Sequence, residues 1–270
     1  MSKMNHSIPV HFNYQLIDNI AFISIKKSNR KNSLTFDSYI ELYDFFHKIV
    51  NNNIIKVIIF GSDDKNFCSG GDVHDIIGSL IEKDINILLK FTRMTCKLIQ
   101  AMIHCQKPII SIIDGICVGA GAAIAMASDM RFSTPYSKTA FLFPRVGLAG
   151  CDMGSCSILP RIIGQGRASE LLYTGRIMLP EEGEKWGFFN KIIDREKIHQ
   201  YVVNIASKLA EGPTFAHMIT KTMLYQEWNM SIDQALEAEA QAQTLCMQTK
   251  DFYRAYRAFL IKEKAIFQGN

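Results

Sequence analysis

Hydrophobic and polar positions in the first part of the chain follow strand and helix periods in turn. Residues 8–16 and 19–26 alternate apolar with polar side chains, which predicts two strands joined by a tight turn at Ile17-Asp18. Residues 35–50 place apolar side chains on one face of a predicted helix. A β-branched run over 56–60 then predicts a buried strand. The chain therefore begins with strands, a helix and a buried strand in succession.

The same succession continues through the middle of the chain. A helix is predicted over residues 81–104 and a further buried strand over 108–113. Strands that alternate with helices in this order favour a mostly parallel sheet with the helices packed outside it. We therefore expect an α/β fold.

The chain after Asp152 is predicted to be mainly helical. Helical periods cover 166–174, 180–187 and 195–210, a capping box at Ser231-Ile232-Asp233-Gln234 begins a helix that runs to about 248, and an apolar stripe from Phe252 to Phe267 predicts a last helix. We expect an α/β core over residues 1–195 and a C-terminal helical region over 196–270. That region is expected to pack on the core or on a neighbouring subunit.

The composition is typical of a globular protein rather than a membrane or nucleic-acid-binding one. Apolar residues make up 48% of the chain, but no apolar run is long enough to cross a bilayer, and no hydrophobic signal core follows Met1. The net charge of +4 is modest, and no stripe of aromatic and arginine residues indicates nucleic-acid binding. The seven cysteines form no C-x-x-C pair, which favours a reducing cytoplasm. No group of residues has the spacing of metal ligands.

Two glycine-rich turns carry the candidate chemistry. The first is Phe67-Cys68-Ser69-Gly70-Gly71-Asp72, and the second is Cys117-Val118-Gly119-Ala120-Gly121-Ala122-Ala123. Each follows strand-like sequence and leads into helical sequence. Two such turns can direct backbone N–H groups at one carbonyl oxygen, which is the arrangement of an oxyanion hole. A single glycine turn more often reflects close packing of strand against helix, so the evidence lies in the pair.

Five segments of the chain form an ordered series. They are Asn32-Ser33-Leu34, the run from Phe67 to Val73, the run from Lys107 to Asp129, the run from Leu159 to Gly164 and the run from Phe259 to Lys264. In this order and spacing they resemble the enoyl-CoA hydratase/isomerase family, and the resemblance covers almost the whole chain. It implies an α/β, crotonase-like fold with a (ββα)n spiral core. It also implies a C-terminal helical region that forms a homotrimer or a dimer of trimers.

Carried onto this sequence, the resemblance assigns roles to both glycine turns. The backbone N–H groups of Gly71 and Ala120 are the expected donors to a thioester oxygen, where they stabilise an enolate. The coenzyme A part of the substrate is expected along the first turn, with its phosphates near Arg30 or Lys31 and near a cation of the C-terminal region. The expected contacts are Cys68, Gly70, Val73, Arg30 and Lys262. No separate cofactor is expected, because coenzyme A belongs to the acyl-CoA substrate.

Both glutamates that hydratases of this family use for acid–base chemistry are missing. The first expected position is Ala123, and the second is Phe143 by direct counting or Arg145 when the chain is aligned on Pro144. Water addition to an enoyl thioester needs a base for the water and an acid for the α-carbon. Ala123 and Phe143 are therefore expected to line the acyl pocket without taking part in proton transfer.

Asp152 is the expected replacement for these glutamates. The segment from Val146 to Gly154 resembles one in dienoyl-CoA isomerases of the family, where an aspartate enters the acyl pocket, although one extra residue precedes Asp152 here. The alternative interpretation is that Asp152 caps the helix that follows. A single carboxylate suits proton transfer at one carbon better than addition of water across two. The acyl pocket is expected along residues 76–89 and 141–152.

Two kinds of function remain open at this point. The first is an acyl-CoA thioester enzyme, namely an enoyl-CoA hydratase/isomerase with atypical acid–base residues, or a hydrolase or decarboxylase on the same fold. The second is a non-catalytic acyl-CoA-binding protein that keeps the fold without the chemistry. Product formation from a panel of acyl-CoA thioesters distinguishes the two.

Overall fold

A computed structural model describes residues 9–26 and 30–270 of the protein. The strands in this part of the chain are β1 (Phe12–Ile17), β2 (Ile20–Ile25), β3 (Val57–Ser62), β4 (Ile109–Ile113), β5 (Ile116–Val118), β6 (Met130–Ser133), β7 (Lys138–Ala140) and β8 (Lys191–Ile192). The α-helices are α1 (Phe36–Ile49), α2 (Ile85–His104), α3 (Ala120–Met126), α4 (Ser155–Ile163), α5 (Gln165–Thr174), α6 (Pro180–Trp186), α7 (Arg195–Ala210), α8 (Thr214–Gln226), α9 (Ile232–Met247) and α10 (Lys250–Ile261). A π-helical turn covers Val73–Gly78, and 3₁₀ turns cover Phe143–Val146 and Glu227–Asn229.

The main sheet has six strands in the order β1-β2-β3-β4-β6-β8. β1 and β2 form an antiparallel hairpin, and every later pairing in this sheet is parallel. The hairpin turn falls on Asp18 and Asn19, one residue later than predicted, and both residues have positive φ (49° and 66°). Such angles suit a two-residue hairpin turn, and aspartate and asparagine tolerate them. β5 and β7 form a separate parallel pair beside the main sheet.

Helices bury both faces of the main sheet. Along β3, Val57 and Ile59 face α7 and join a cluster that includes Val202. Ile58 and Phe60 face the other way, into the larger cluster that α1, α2 and α3 cover. Alternate side chains of a strand point to opposite faces, so a strand buried on both sides is apolar at every position. This explains why the run at 56–60 lacks any polar alternation.

The predicted elements are confirmed in order, and their ends show what the sequence pattern did not resolve. The predicted strand over 8–16 appears as β1, and residues 1–8 and 27–29 lie outside the described residues. The predicted last helix is shorter, because Lys262 adopts a left-handed conformation (φ 57°) that ends α10 at Ile261. The capping box at Ser231 and Gln234 is confirmed, with both reciprocal hydrogen bonds formed.

The C-terminal helices differ in how they pack against the sheet. α7 lies on the sheet and belongs to the core, whereas α8, α9 and α10 pack mainly on one another and expose apolar side chains such as Phe259 (80% exposed). The division at residues 195 and 196, and the trimer expected from the helical region, stay predictions. Within residues 9–26 and 30–270, no helix is both long and apolar enough to span a membrane.

Candidate active site

The two glycine turns lie against each other in a short parallel pairing. Cys68 N–H donates to the carbonyl of Ile116 (2.9 Å), and Val118 N–H donates to the carbonyl of Cys68 (2.9 Å). A Cβ atom on Gly121 would lie only 2.5 Å from the carbonyl oxygen of Cys68. Glycine at 121 therefore permits this approach, because any side chain would push the turns apart.

Gly70 is required at the same junction. Its φ is +87°, a conformation that side chains rarely adopt, and a Cβ atom there would lie 2.9 Å from the carbonyl oxygen of Val118 and 3.3 Å from the amide nitrogen of Ala120. The residues on either side of Gly71 are held by Leu34, whose N–H donates to the Gly70 carbonyl (2.8 Å) and whose carbonyl accepts from Asp72 N–H (2.8 Å). The first turn is thus fixed from both sides.

Gly71 and Ala120 are left with backbone N–H groups that point out of these pairings. Ala120 is the first residue of α3, so its N–H has no acceptor within the helix. Among the hydrogen bonds of the described residues, neither the Gly71 nor the Ala120 N–H donates to another protein group. Two N–H donors on abutting turns match the arrangement that binds a developing oxyanion. The structure brings together the pair that the sequence analysis named.

A buried carboxylate anchors the first turn. Asp72 is 3% exposed and caps the π-helical turn by accepting N–H bonds from His74 (3.0 Å) and Asp75 (3.1 Å). It also accepts from the Ser33 hydroxyl (2.8 Å) and from the Arg30 guanidinium (2.9 Å). Burial alone raises the pKa of Asp72, but these donors outweigh it and hold the pKa well below its usual range. The anchor therefore stays ionised at any pH at which the protein works.

Asp152 does not cap α4, so the capping interpretation is wrong. α4 begins at Ser155, and its N-cap residue is Gly154, a left-handed glycine (φ 81°) without a side-chain cap. The Asp152 carboxylate instead accepts the N–H of the next residue, Met153 (2.8 Å), and only the Asp152 main-chain carbonyl accepts from Ser155 (2.9 Å). The second carboxylate oxygen makes no hydrogen bond within the described residues. Asp152 therefore keeps an oxygen available for chemistry.

The environment of Asp152 suits a proton carrier. Burial raises its pKa, and the N–H bond from Met153 opposes that shift in part. Its charge reaches two neighbouring helices. It raises the pKa of Tyr39 on α1 and of Cys96 on α2, in both cases as a smaller effect than burial. Asp152 is thus within electrostatic range of one residue on each of these helices.

Tyr39 is a member of this site that the sequence analysis missed. A Cβ atom on Gly71 would lie 3.7 Å from the Tyr39 hydroxyl oxygen. Burial, followed by the nearby charges of Cys68 and Asp152, raises the pKa of Tyr39 well above its usual value. In the sequence Tyr39 is one of several apolar positions on the helical stripe of residues 35–50, which predicts only a core role.

Neither of the two missing glutamate positions offers an alternative carboxylate. Ala123 is fully enclosed within α3, in the apolar core, so it does not line an open pocket as expected. Phe143 is 6% exposed in its 3₁₀ turn, and Arg145 is exposed beside it. Ala123 and Phe143 therefore belong to the apolar core, and neither side chain can transfer a proton.

The expected coenzyme A contacts divide into exposed and enclosed residues. Val73 is 62% exposed at the start of the π-helical turn and accessible to a ligand. Cys68 is fully buried, burial raises the pKa of its thiol to about 12, and both of its backbone groups are used in the pairing of the turns. Cys68 is therefore not exposed to a substrate as expected. Its role is to hold the two turns together.

The two expected phosphate cations lie in different settings. Arg30 is half-exposed and paired with Asp72 (2.9 Å) and Asp75 (3.5 Å), so it orders the first turn as well as facing solvent. Lys262 lies at the exposed end of α10, and no hydrogen bond or ion pair joins it to the glycine turns within residues 9–26 and 30–270. Phosphate binding by either cation stays a prediction. No group of three metal-binding side chains occurs in the same described ranges.

Comparison with known proteins places this geometry in a family. The sequence profile described as Enoyl-CoA hydratase/isomerase matches residues 16–270. The chain is 29% identical to a crotonyl-CoA hydratase of Syntrophomonas wolfei, with 93% of this chain and 95% of the relative covered. It is 24% identical to a 1,2-epoxyphenylacetyl-CoA isomerase of Escherichia coli, with 92% and 94% covered. The crystal structure of a putative enoyl-CoA hydratase from Streptomyces coelicolor superposes with a TM-score of 0.94 at 33% identity, and the two chains cover each other completely.

Proposed function

The chain belongs to the enoyl-CoA hydratase/isomerase family, and from that premise we propose that it is an acyl-CoA isomerase in which Asp152 alone moves the proton. Membership confirms the expected fold, the enzyme class and the acyl-CoA thioester substrate. The observation that carries the finer proposal is the lone carboxylate. One oxygen of the Asp152 carboxylate makes no hydrogen bond within the described residues, whereas the two positions where hydratases hold glutamates are occupied by Ala123 and by Phe143 or Arg145.

The first step of the proposed reaction is enolate formation. The thioester carbonyl oxygen accepts hydrogen bonds from the N–H groups of Gly71 and Ala120. Asp152 removes a proton from the carbon that is acidified by the enoyl thioester, and the electron pair of that C–H bond delocalises onto the thioester oxygen as a dienolate. Each oxyanion donor contributes about 10²–10³ in rate, because it is already oriented before the charge develops.

The second step returns the same proton to a different carbon. The dienolate collapses, the new C–H bond forms on the other end of the conjugated system, and the carbon–carbon double bond has moved by one position. Asp152 leaves the cycle as a carboxylate again, so atoms and charge balance without any co-reactant. Burial of Asp152 raises its pKa, which favours a group that must hold the proton between the two transfers.

Water addition is the competing reaction, and it asks for more than this site offers. It needs one group to deprotonate the water and a second to protonate the α-carbon. The crotonyl-CoA hydratase of Syntrophomonas wolfei is a relative whose name describes water addition, and that activity is not transferred to this chain.

We propose that the coenzyme A part lies along the first turn near Gly70 and Val73, with Arg30 and Lys262 toward the phosphates. We also propose that a second copy of the chain covers the exposed tail helices.

Incubation with positional isomers of one enoyl-CoA chain tests the proposal. The enzyme is mixed separately with the 2-enoyl and 3-enoyl thioesters of a medium-length acyl group, and the products are separated by chromatography. Interconversion of the two isomers, slowed at least about 100-fold in the Asp152→Asn variant, is the expected result. Formation of a 3-hydroxyacyl-CoA at a comparable rate contradicts it. Tight binding of acyl-CoA in calorimetry without any product supports the non-catalytic alternative instead.

A further inference from the structure

Tyr39 is held rigidly at the inner face of α1. The residue is 2% exposed, and its ring packs edge-on against Phe91 of α2, with ring centroids 6.2 Å apart and planes at 84°. Phe36, one turn earlier on α1, packs on the same Phe91 ring at 5.2 Å. Burial and aromatic packing of this kind fix the direction of the phenol, because the side chain cannot change rotamer within a close-packed interior. The hydroxyl group therefore has a defined place in the substrate-free protein.

The hydroxyl group of Tyr39 lacks a protein partner. It makes no hydrogen bond within residues 9–26 and 30–270, although buried tyrosine hydroxyls usually find one. Its oxygen keeps some access to solvent, unlike the fully enclosed and unpartnered side-chain atoms of Thr139, Ser155 and His217. The ring is thus buried while its oxygen still opens onto accessible space. Such a group is ready to donate to something that enters from outside.

That accessible space borders the first oxyanion donor. The Tyr39 oxygen lies 3.7 Å and the Cδ1 atom of Ile76 3.6 Å from the place where a Cβ atom on Gly71 would sit. The charge of Asp152 also acts on Tyr39, as a smaller effect than burial. Because the pKa of Tyr39 is well above its usual value, the phenol keeps its proton over the working pH range. It can donate a hydrogen bond but cannot act as a base.

We propose that the Tyr39 hydroxyl is a third hydrogen-bond donor to the substrate oxygen held by Gly71 and Ala120, strengthening its bond as the enolate forms. This inference deepens the proposed function and rests on it for the identity of the bound oxygen. A neutral donor that is fixed before the reaction stabilises the enolate more than the thioester, because the negative charge on that oxygen grows along the reaction. Its contribution should therefore appear in kcat rather than in KM.

The test uses acetoacetyl-CoA, a thioester that enolises without turnover and whose bound enolate is read by its ultraviolet absorbance. The variant Tyr39→Phe keeps the ring and its contact with Phe91 but removes the donor. Tyr43→Phe is the matched control, because it removes a hydroxyl from the same helix at a ring that stacks on His47 (5.6 Å between centroids). Thermal unfolding of both variants checks that the fold is kept.

The expected result is an approximately 100-fold weaker affinity of Tyr39→Phe for the enolate form, in line with the loss of one oxyanion donor. kcat for isomerisation is expected to fall by about the same factor, with KM changed less than about threefold. Tyr43→Phe is expected to match the parent in both assays. An unchanged enolate affinity in Tyr39→Phe overturns the inference, as does a variant that only shifts the pH profile of Asp152. If no isomerisation occurs in the parent, the proposed function fails while the enolate affinity still decides the role of Tyr39.

Discussion

Replacing Asp152 with asparagine separates proton transfer from every other property of the site. The amide has nearly the same shape, and its oxygen can still accept the Met153 N–H bond that now measures 2.8 Å. The fold and the two N–H donors on the glycine turns are therefore preserved. What is lost is the base. Removal of a positioned acid–base group costs about 10²–10⁴ in rate, which corresponds to about 2.7–5.4 kcal/mol of transition-state stabilisation.

The assay for this variant has two readouts. Isomerisation of an enoyl-CoA gives kcat and KM, and exchange of substrate protons with deuterium oxide reports enolate formation directly. We expect kcat to fall by at least about 10²-fold with KM nearly unchanged, since substrate binding does not need the carboxylate. Exchange should fall in parallel. A variant that keeps full turnover and full exchange removes Asp152 from the mechanism.

The acidic side of the pH profile provides an independent check on Asp152. The base form is required, so kcat/KM of the parent should fall as the pH drops through the raised pKa of Asp152, above the ordinary aspartate value of about 3.9. Stability should change in the opposite sense. A folded-state pKa that is raised means that the parent loses stability as the pH rises through that interval. Asp152→Asn should consequently gain stability relative to the parent at neutral pH, and this advantage should vanish below about pH 4.

Two further predictions concern the architecture of the first turn. Gly70→Ala must adopt a φ of +87° and press on the Val118 carbonyl at 2.9 Å, so we expect turnover to fall at least about 10-fold and stability to fall by about 1–3 kcal/mol. Gly164→Ala is its control, because it has nearly the same φ (+86°) with no atom within 4 Å of the added carbon, and its turnover should stay within about twofold of the parent while stability drops by about 1–3 kcal/mol. Asp72→Asn should lower the free energy of unfolding in urea by about 1.5–3 kcal/mol at neutral pH, because charge-assisted bonds are lost. Since the folded-state pKa of Asp72 is lowered, its contribution is present above about pH 4 and is lost below it, so this difference should shrink in acid; a constant difference from pH 3 to pH 7 contradicts the assigned role.

The sequence predicted those parts of the site that depend on the backbone. Gly70 and Gly121 indicate a close approach of the two turns, because only glycine fits where a Cβ atom would lie under 3 Å from a carbonyl oxygen. The order of strands and helices follows from period and burial, as β3 shows. Neither inference needs knowledge of where a side chain points, so both could be made from the residues and the resemblance.

The roles that depend on side-chain direction were the ones the sequence could not resolve. Asp152 precedes a helix and is a favourable capping residue. Gly154 occupies the N-cap position instead, and the Asp152 carboxylate accepts the Met153 N–H. Tyr39 occupies a position on a helical stripe that predicts a core residue. Only the structure shows that its hydroxyl lies beside Gly71. Cys68 lies in a loop that the resemblance associates with ligand binding, but pairing with Ile116 and Val118 encloses it.

In the proposed reaction, two backbone donors and one carboxylate move a double bond without adding water. Reaction of a 2-enoyl-CoA in water enriched in heavy oxygen tests it most directly, with mass spectrometry of the acyl products over the full course of the reaction. We predict that the double bond migrates and that no product carries the heavy oxygen. Accumulation of a 3-hydroxyacyl-CoA that has taken up heavy oxygen, at a rate equal to or above that of migration, would show that the enzyme is a hydratase instead.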